Sequence, residues 1–293
     1  MIHLFKGLVQ IRRISEKSLA IELCGYQQDL TSITFITNLL GMPVVIVTGA
    51  SRGMGAAMAR KLLSAPISAK VVLVARTAEP LKAFADEFPG QVAYLSGDIS
   101  KDETNVDAVK LAISKFGALD GIVFNAAILD PISAVAKADS AAWKKLYDIN
   151  FFSMLPALRE AIPHLKASKG KVIFVSSGAS HHYFYGWGAY GSSKAATDHL
   201  AATLAAEEPD IFTFSLDPGV MDTNMQIALR ETHGTEMKPS EHERFLSLKT
   251  DNALSPPSLP GGVAINLLLK APKELSGKTL RFSDEKLAEF VDK

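Results

Sequence analysis

From Pro43 onward, short apolar runs rich in β-branched residues alternate with longer amphipathic stretches, and this rhythm restricts the chain to very few folds. Continuous Val/Ile/Leu runs mark strands covered on both faces, and parallel strands need a long crossover between them, usually a helix. The pattern predicts strands at Val44–Val47, Val71–Val74, Val92–Leu95, Gly121–Phe124, Lys171–Val175, Ile211–Leu216 and Thr279–Phe282. It predicts helices over Gly53–Leu63, Ala78–Phe88, Asn105–Phe116, Ala141–Leu165 and Tyr190–Ala206, with Pro156 freeing the carbonyl of Phe152 and bending the fourth. Residues 42–293 therefore read as one α/β domain, a Rossmann-type doubly wound parallel sheet of about seven strands with helices on both faces.

The stretch 221–260 breaks the rhythm, being long, polar and proline-rich at Pro256, Pro257 and Pro260. It leaves from the carboxyl end of a strand, where ligands bind in doubly wound folds, and is expected to be a mobile substrate lid. Residues 1–41 mix Lys6, Arg12, Arg13 and Lys17 with Glu16, Glu22 and Asp29, unlike an acid-poor transit peptide. They are expected to be a disordered extension, or the result of a start set upstream of Met42.

Composition excludes several function classes. Lys and Arg together number 31, as do Asp and Glu, so no broad basic face for nucleic acid or anionic membrane is implied. Charges or glycines interrupt every apolar run before the roughly 20 residues of a membrane span, so the protein is expected to be soluble. A single cysteine, Cys24, rules out an internal disulfide and fits the reducing cytoplasm. Small molecules and further subunits remain as partners.

Directly after the first strand comes Thr48-Gly49-Ala50-Ser51-Arg52-Gly53-Met54-Gly55, and then helical sequence. Glycines allow a tight turn that brings backbone N–H groups and a helix N-terminus against a pyrophosphate, with Gly49, Ser51, Arg52, Gly53 and Met54 as expected contacts. The second strand ends Val74-Ala75-Arg76 with no acid to bind a ribose diol. Arg76, joined by Arg52, suits the 2′-phosphate of NADP(H).

Ser177 stands thirteen positions before Tyr190, and Lys194 follows Tyr190 by four, on the same helical face. A phenol with an ordinary pKa of about 10 is a poor acid–base near neutrality, and a neighbouring ammonium is expected to lower it. Ser177 would hold a carbonyl oxygen while Tyr190 supplies the proton. Between them lies His181-His182-Tyr183-Phe184-Tyr185-Gly186-Trp187, an aromatic loop expected to face the nicotinamide and suited to a flat or apolar ketone. The adjacent histidines are not read as metal ligands, because no carboxylate or cysteine joins them.

With these motifs assembled, residues 43 to about 283 resemble the short-chain dehydrogenase/reductase family, closest to its sepiapterin reductase and fungal benzil reductase group. The resemblance matches Thr48–Gly55 to the glycine loop, Tyr190 and Lys194 to the Tyr-x-x-x-Lys pair, and Ser177 to the catalytic serine. It implies that Asn150 anchors a proton-relay water and the lysine, and that Asp98, with Ile99, touches adenine. The Asn-Asn-Ala-Gly motif appears as Phe124-Asn125-Ala126-Ala127, which keeps Asn125 and Ala126. Pro218, Gly219, Val220 and Thr223 match the stretch holding the nicotinamide half, with Tyr190 and Lys194 also touching the cofactor. The implied activity is NADPH-dependent reduction of an aromatic ketone or α-dicarbonyl by a homodimer or homotetramer. The alternatives are an NADP-binding sensor or scaffold without turnover, and an alcohol dehydrogenase running in the oxidative direction.

Overall fold

The computed structural model describes residues 10–15, 18–22 and 41–292. The chain forms two compact units that meet in sequence between Met42 and Pro43. In the first, β1 (Gln10–Ser15) pairs antiparallel with β2 (Ser18–Glu22), Ile11 opposite Ile21. The rest of the expectation for residues 1–41 lies outside the described residues.

The second unit carries β3 (Val44–Thr48), β4 (Lys70–Ala75), β5 (Val92–Ser96), β6 (Gly121–Phe124), β7 (Lys171–Val175), β8 (Phe212–Asp217) and β9 (Lys278–Arg281). All seven pair in parallel in the order β5-β4-β3-β6-β7-β8-β9. The expected fold and all seven expected strands are present. Because β3 pairs with both β4 and β6, the chain reverses its direction of winding there, and a crevice opens at the strands' carboxyl ends.

The helices are α1 (Gly53–Leu63), α2 (Ala78–Glu87), α3 (Asp102–Phe116), α4 (Ser140–Tyr147), α5 (Met154–Ser168), α6 (Gly188–Glu207), α7 (Asn224–Glu231), α8 (Pro239–Thr250) and α9 (Ser258–Lys270). Successive strand side chains alternate between two cores. Val45, Val47, Val71 and Leu73 pack with α1, α2 and α9, while Val44, Ile46, Val72 and Val74 pack with α3, α5 and the C-terminal half of α6. Covering both faces is why the strands are apolar at consecutive positions.

Three expectations need correction. The single bent helix over Ala141–Leu165 is two helices, α4 and α5, joined through a π-helical turn at Asp148–Phe152. Pro156 is the third residue of α5 and stands just past the π turn, whose last residue is the Phe152 whose carbonyl it was expected to free. The 221–260 stretch, expected as a lid, holds secondary structure of its own: α7, α8, the start of α9 and a parallel bridge between Met221 and Ser255. Finally, α9 was not anticipated. Its residues Pro260–Ile265, Leu267 and Leu268 are buried, so it lacks the polar face that marks an amphipathic helix. Gly261 explains the close approach to α1: a Cβ there would meet Met58 Cγ at 3.2 Å.

Candidate active site

The glycine loop is shaped by steric necessity. Gly49 and Gly53 hold φ of +68° and +56°, which residues with a Cβ rarely adopt. At Gly55 a Cβ would lie 2.2 Å from Gly49 O and 2.7 Å from Asn125 Nδ2, so only glycine lets α1 start this close to the turn. The loop is stapled to the end of β6. Thr48 Oγ1 accepts from Asn125 N at 3.0 Å and Ala126 N at 3.1 Å, while Asn125 Nδ2 donates to Thr48 O at 2.9 Å. No side chain caps α1, leaving its first N–H groups to attract an anion.

This loop forms one end of a cavity of about 560 Å³ over the carboxyl ends of the strands, within the size range of ligand sites. Gly49, Ser51, Arg52, Gly53, Met54, Arg76, Asp98, Ile99, Asn125 and Ala126 line that end, and Pro218, Gly219, Val220 and Thr223 line the other with Ser177, Tyr190 and Lys194. Arg52 and Arg76 are exposed and form no salt bridge among the described residues. The Ser100 backbone N–H, donating to Asp98 Oδ1 at 2.9 Å, holds that carboxyl below its ordinary range, helped by the charges of Arg76 and Lys101. Glycine backbone, a bare helix N-terminus and two unpaired guanidinium groups form a donor set that fits a phosphorylated dinucleotide.

Asn150 is the expected site residue that does not line the cavity. Fully buried in the π turn, it accepts from Ile128 N at 2.8 Å and donates to Ile128 O at 2.9 Å and Ser193 Oγ at 3.2 Å. It thus braces the chain after β6 against α6 and makes no direct bond to Lys194. Isolated π turns gather at functional sites because they re-aim one side chain without ending the helix.

On the catalytic wall, Ser177 Oγ accepts from Ala179 N at 3.2 Å at the start of a short 3₁₀ turn. Tyr190 and Lys194 share the buried face of α6 as their spacing requires, with Lys194 Nζ 5.7 Å from the Tyr190 ring centroid. The electrostatics differ from the expected lowering of the phenol pKa by Lys194. Burial pushes Tyr190 up to about 12; hydrogen bonding by Ser177 pulls it down and the Asp217 charge pushes it up. Lys194 Nζ is committed to Val175 O at 2.7 Å, and burial pushes its own pKa down to about 8, with Asp198 opposing. An amine depressed from 10.5 to about 8 costs stability wherever it must be charged, fully below 8, progressively less up to 10.5, and not beyond. In the protein without cofactor, Lys194→Met is therefore expected to raise stability at pH 7 by up to ~3 kcal/mol, the gain disappearing by about pH 11. Denaturant melts at the two pH values check this; an equal effect at both would contradict it.

Only part of the aromatic loop faces the cavity. His182, Phe184 and Trp187 line it, whereas Tyr183 is 94% and Tyr185 46% exposed. Trp187 meets Tyr190 edge-to-face at 5.8 Å and stacks on Phe245 of α8 at 5.6 Å, giving the proton donor an aromatic wall shared by two elements. Gln226, His233, Arg244 and Phe245 of the α7–α8 segment also line the cavity, and His233 Nε2 lies 3.0 Å from Asp130 Oδ1 across it. Sequence reasoning missed these residues because nothing local marks which face of a short polar helix turns toward a site. It also passed over Asp217, which lies directly before Pro218-Gly219 and is only 4% exposed.

Residues 43–234 match the family model of the short chain dehydrogenases. The chain belongs to this family. An uncharacterized oxidoreductase of Saccharomyces cerevisiae, YIR035C, is 41% identical over 250 residues, covering 85% of this chain and 98% of its own length. Its crystal structure superposes with a TM-score of 0.83 at 40% identity, over 85% of this chain and all of that one. Benzil reductase ((S)-benzoin forming) IRC24 of the same yeast is 39% identical over 259 residues, 83% of this chain and 97% of its own. Sepiapterin reductase of Meriones unguiculatus is 32% identical over 248 residues, 79% of this chain and 93% of its own. The chain is accordingly an oxidoreductase of a family that works with nicotinamide cofactors, and no helix among its described residues is long and apolar enough to cross a membrane.

Proposed function

We propose that the protein reduces an aromatic ketone or α-dicarbonyl compound with NADPH, with Tyr190 as proton donor. The observation that carries this reading is the convergence of Ser177, Tyr190 and Lys194 on one cavity wall beside the aromatic surface of Phe184, Trp187 and Phe245. The benzil and sepiapterin reductases among the relatives support the substrate class.

Bound NADPH supplies the hydride. The chain does the rest. Gly49, Ser51, Gly53 and Met54 hold the pyrophosphate, Arg52 and Arg76 the 2′-phosphate, Asp98 and Ile99 the adenine, and Asn125 with Ala126 the adjoining ribose. Pro218, Gly219, Val220 and Thr223 hold the nicotinamide half together with Lys194. Ser177 donates to the substrate carbonyl oxygen, and the Tyr190 O–H delivers a proton to that oxygen as negative charge develops there. Asn150 keeps this wall in register through Ile128 and Ser193. The segment α7–α8 serves as the lid that shields the aromatic wall from water.

The test follows cofactor absorbance with NADPH and, separately, NADH, offering benzil, sepiapterin, diacetyl and a simple aromatic ketone. Oxidation of NADPH by a dicarbonyl, with little by NADH, supports the reading. Tight NADPH binding without turnover of any carbonyl would favour the sensor alternative. Arg76→Ala is expected to weaken NADPH binding by about 10- to 100-fold, the value of about one charged hydrogen bond, and to leave NADH binding within about twofold. Equal losses for both cofactors, measured by calorimetry, would contradict the role given to Arg76.

A further inference from the structure

Asp217 is a buried carboxylate that the mechanism above does not use. It ends β8, is 4% exposed and lines the cavity. Its Oδ1 accepts from Gly219 N at 2.9 Å, and it forms no salt bridge among the described residues. Two cations are near it but outside salt-bridge distance among the described residues: Lys194, whose Nζ donates to Val175 O at 2.7 Å, and Arg281, the residue paired with Asp217 on β9, which also lines the cavity and whose Nη2 lies 3.1 Å from where a Gly219 Cβ would stand. His182, His233 and Arg244 line the cavity from the aromatic loop and the α7–α8 segment.

The sheet fixes where the carboxylate sits. Val175 pairs with Leu216, so Asp217 stands beside Ser176 and next to the segment bearing Ser177. Gly178 leaves room for it: a Cβ there would lie 3.3 Å from Asp217 Oδ2. Its charge is felt at Tyr190, which it pushes upward. It also immediately precedes Pro218-Gly219-Val220, the stretch assigned to the nicotinamide half.

A carboxylate held out of water, with no cation of the described residues within salt-bridge distance, favours a positive charge that develops beside it. We propose that Asp217 is the counter-charge of the nicotinamide ring, stabilising the positive charge that the ring gains as it gives up hydride. The proposal rests on the cofactor reading given above. Hydride, with its electron pair, leaves the ring for the carbonyl carbon, the Tyr190 proton goes to the oxygen, and the ring is left oxidised with one positive charge. Asp217 accepts neither proton nor electron. It acts by being more favourable to the charged product form than to the neutral reduced form, which is differential stabilisation along the reaction.

The test compares dissociation constants of NADP⁺ and NADPH by calorimetry in the wild type and in Asp217→Asn. Loss of the charge is expected to weaken NADP⁺ by about tenfold and NADPH by less than about twofold, with reduction slowed by about tenfold. Asp217→Glu, which keeps the charge, is expected to restore most of the NADP⁺ preference. An unchanged ratio of the two constants, or an equal loss for both, overturns the proposal while leaving the cofactor reading intact. Failure of the wild type to bind either nicotinamide overturns that reading and the proposal with it. Asp217→Ser removes the charge but keeps an acceptor for Gly219 N, and decides the matter if the Asn variant does not fold.

Discussion

Tyr190→Phe is expected to lower carbonyl reduction by about 10²- to 10⁴-fold, the usual worth of a positioned general acid, with the NADPH dissociation constant changed by less than about threefold. The change removes one buried O–H and no carbon atoms, so the edge-to-face contact with Trp187 at 5.8 Å is kept and the fold has little reason to respond. With burial holding the phenol up to about 12, Tyr190 carries its proton throughout the neutral range, the form that the proposed role of proton donor requires. Single-turnover absorbance of the preformed NADPH complex isolates the chemical step from binding. Turnover within about threefold of wild type would remove Tyr190 from the mechanism.

Gly55→Ala is expected to disable the protein by a different route. The new methyl carbon would lie 2.2 Å from Gly49 O and 2.8 Å from Gly49 C, both backbone atoms that no rotamer change can move aside. Relief requires α1 to shift or the Thr48–Asn125 staple to open, so we expect a loss of stability of at least ~3 kcal/mol together with a loss of cofactor affinity of 100-fold or more. Gly53→Ala provides the contrast. Its methyl would meet only Thr223 Cγ2 at 3.6 Å, leaving the strain of a φ of +56° at roughly 1–2 kcal/mol. Denaturant melts of both variants check the order; equal destabilisation would show that the close approach of Gly55 to Gly49 is not what confines that position.

Sequence reading succeeded where a local rule ties residue type to geometry. Consecutive β-branched residues such as Val44–Val47 mark a strand buried on both faces, as β3, β4, β6, β7 and β8 are, and the partly exposed edge strands β5 and β9 were placed as well. Glycines at 49, 53 and 55 are required by positive φ or absent space, and the four-residue spacing of Tyr190 and Lys194 puts both on one face of any helix.

What the sequence left open depends on partners distant along the chain. The helix α9 hides from periodicity because both α1 and the sheet bury it, and the π turn at Asp148–Phe152 carries no residue signature of its own. Only packing turned Phe184 and Trp187 inward while leaving Tyr183 outside, since the loop is equally aromatic at all three positions. The acid–base balance of the site was likewise decided in three dimensions. Spacing placed Lys194 near Tyr190, but burial and the Asp217 carboxylate, which strand pairing brings alongside, set the phenol pKa in the opposite direction. Local backbone geometry is encoded residue by residue, whereas desolvation and the field at a buried atom are sums over neighbours that only the folded chain brings together.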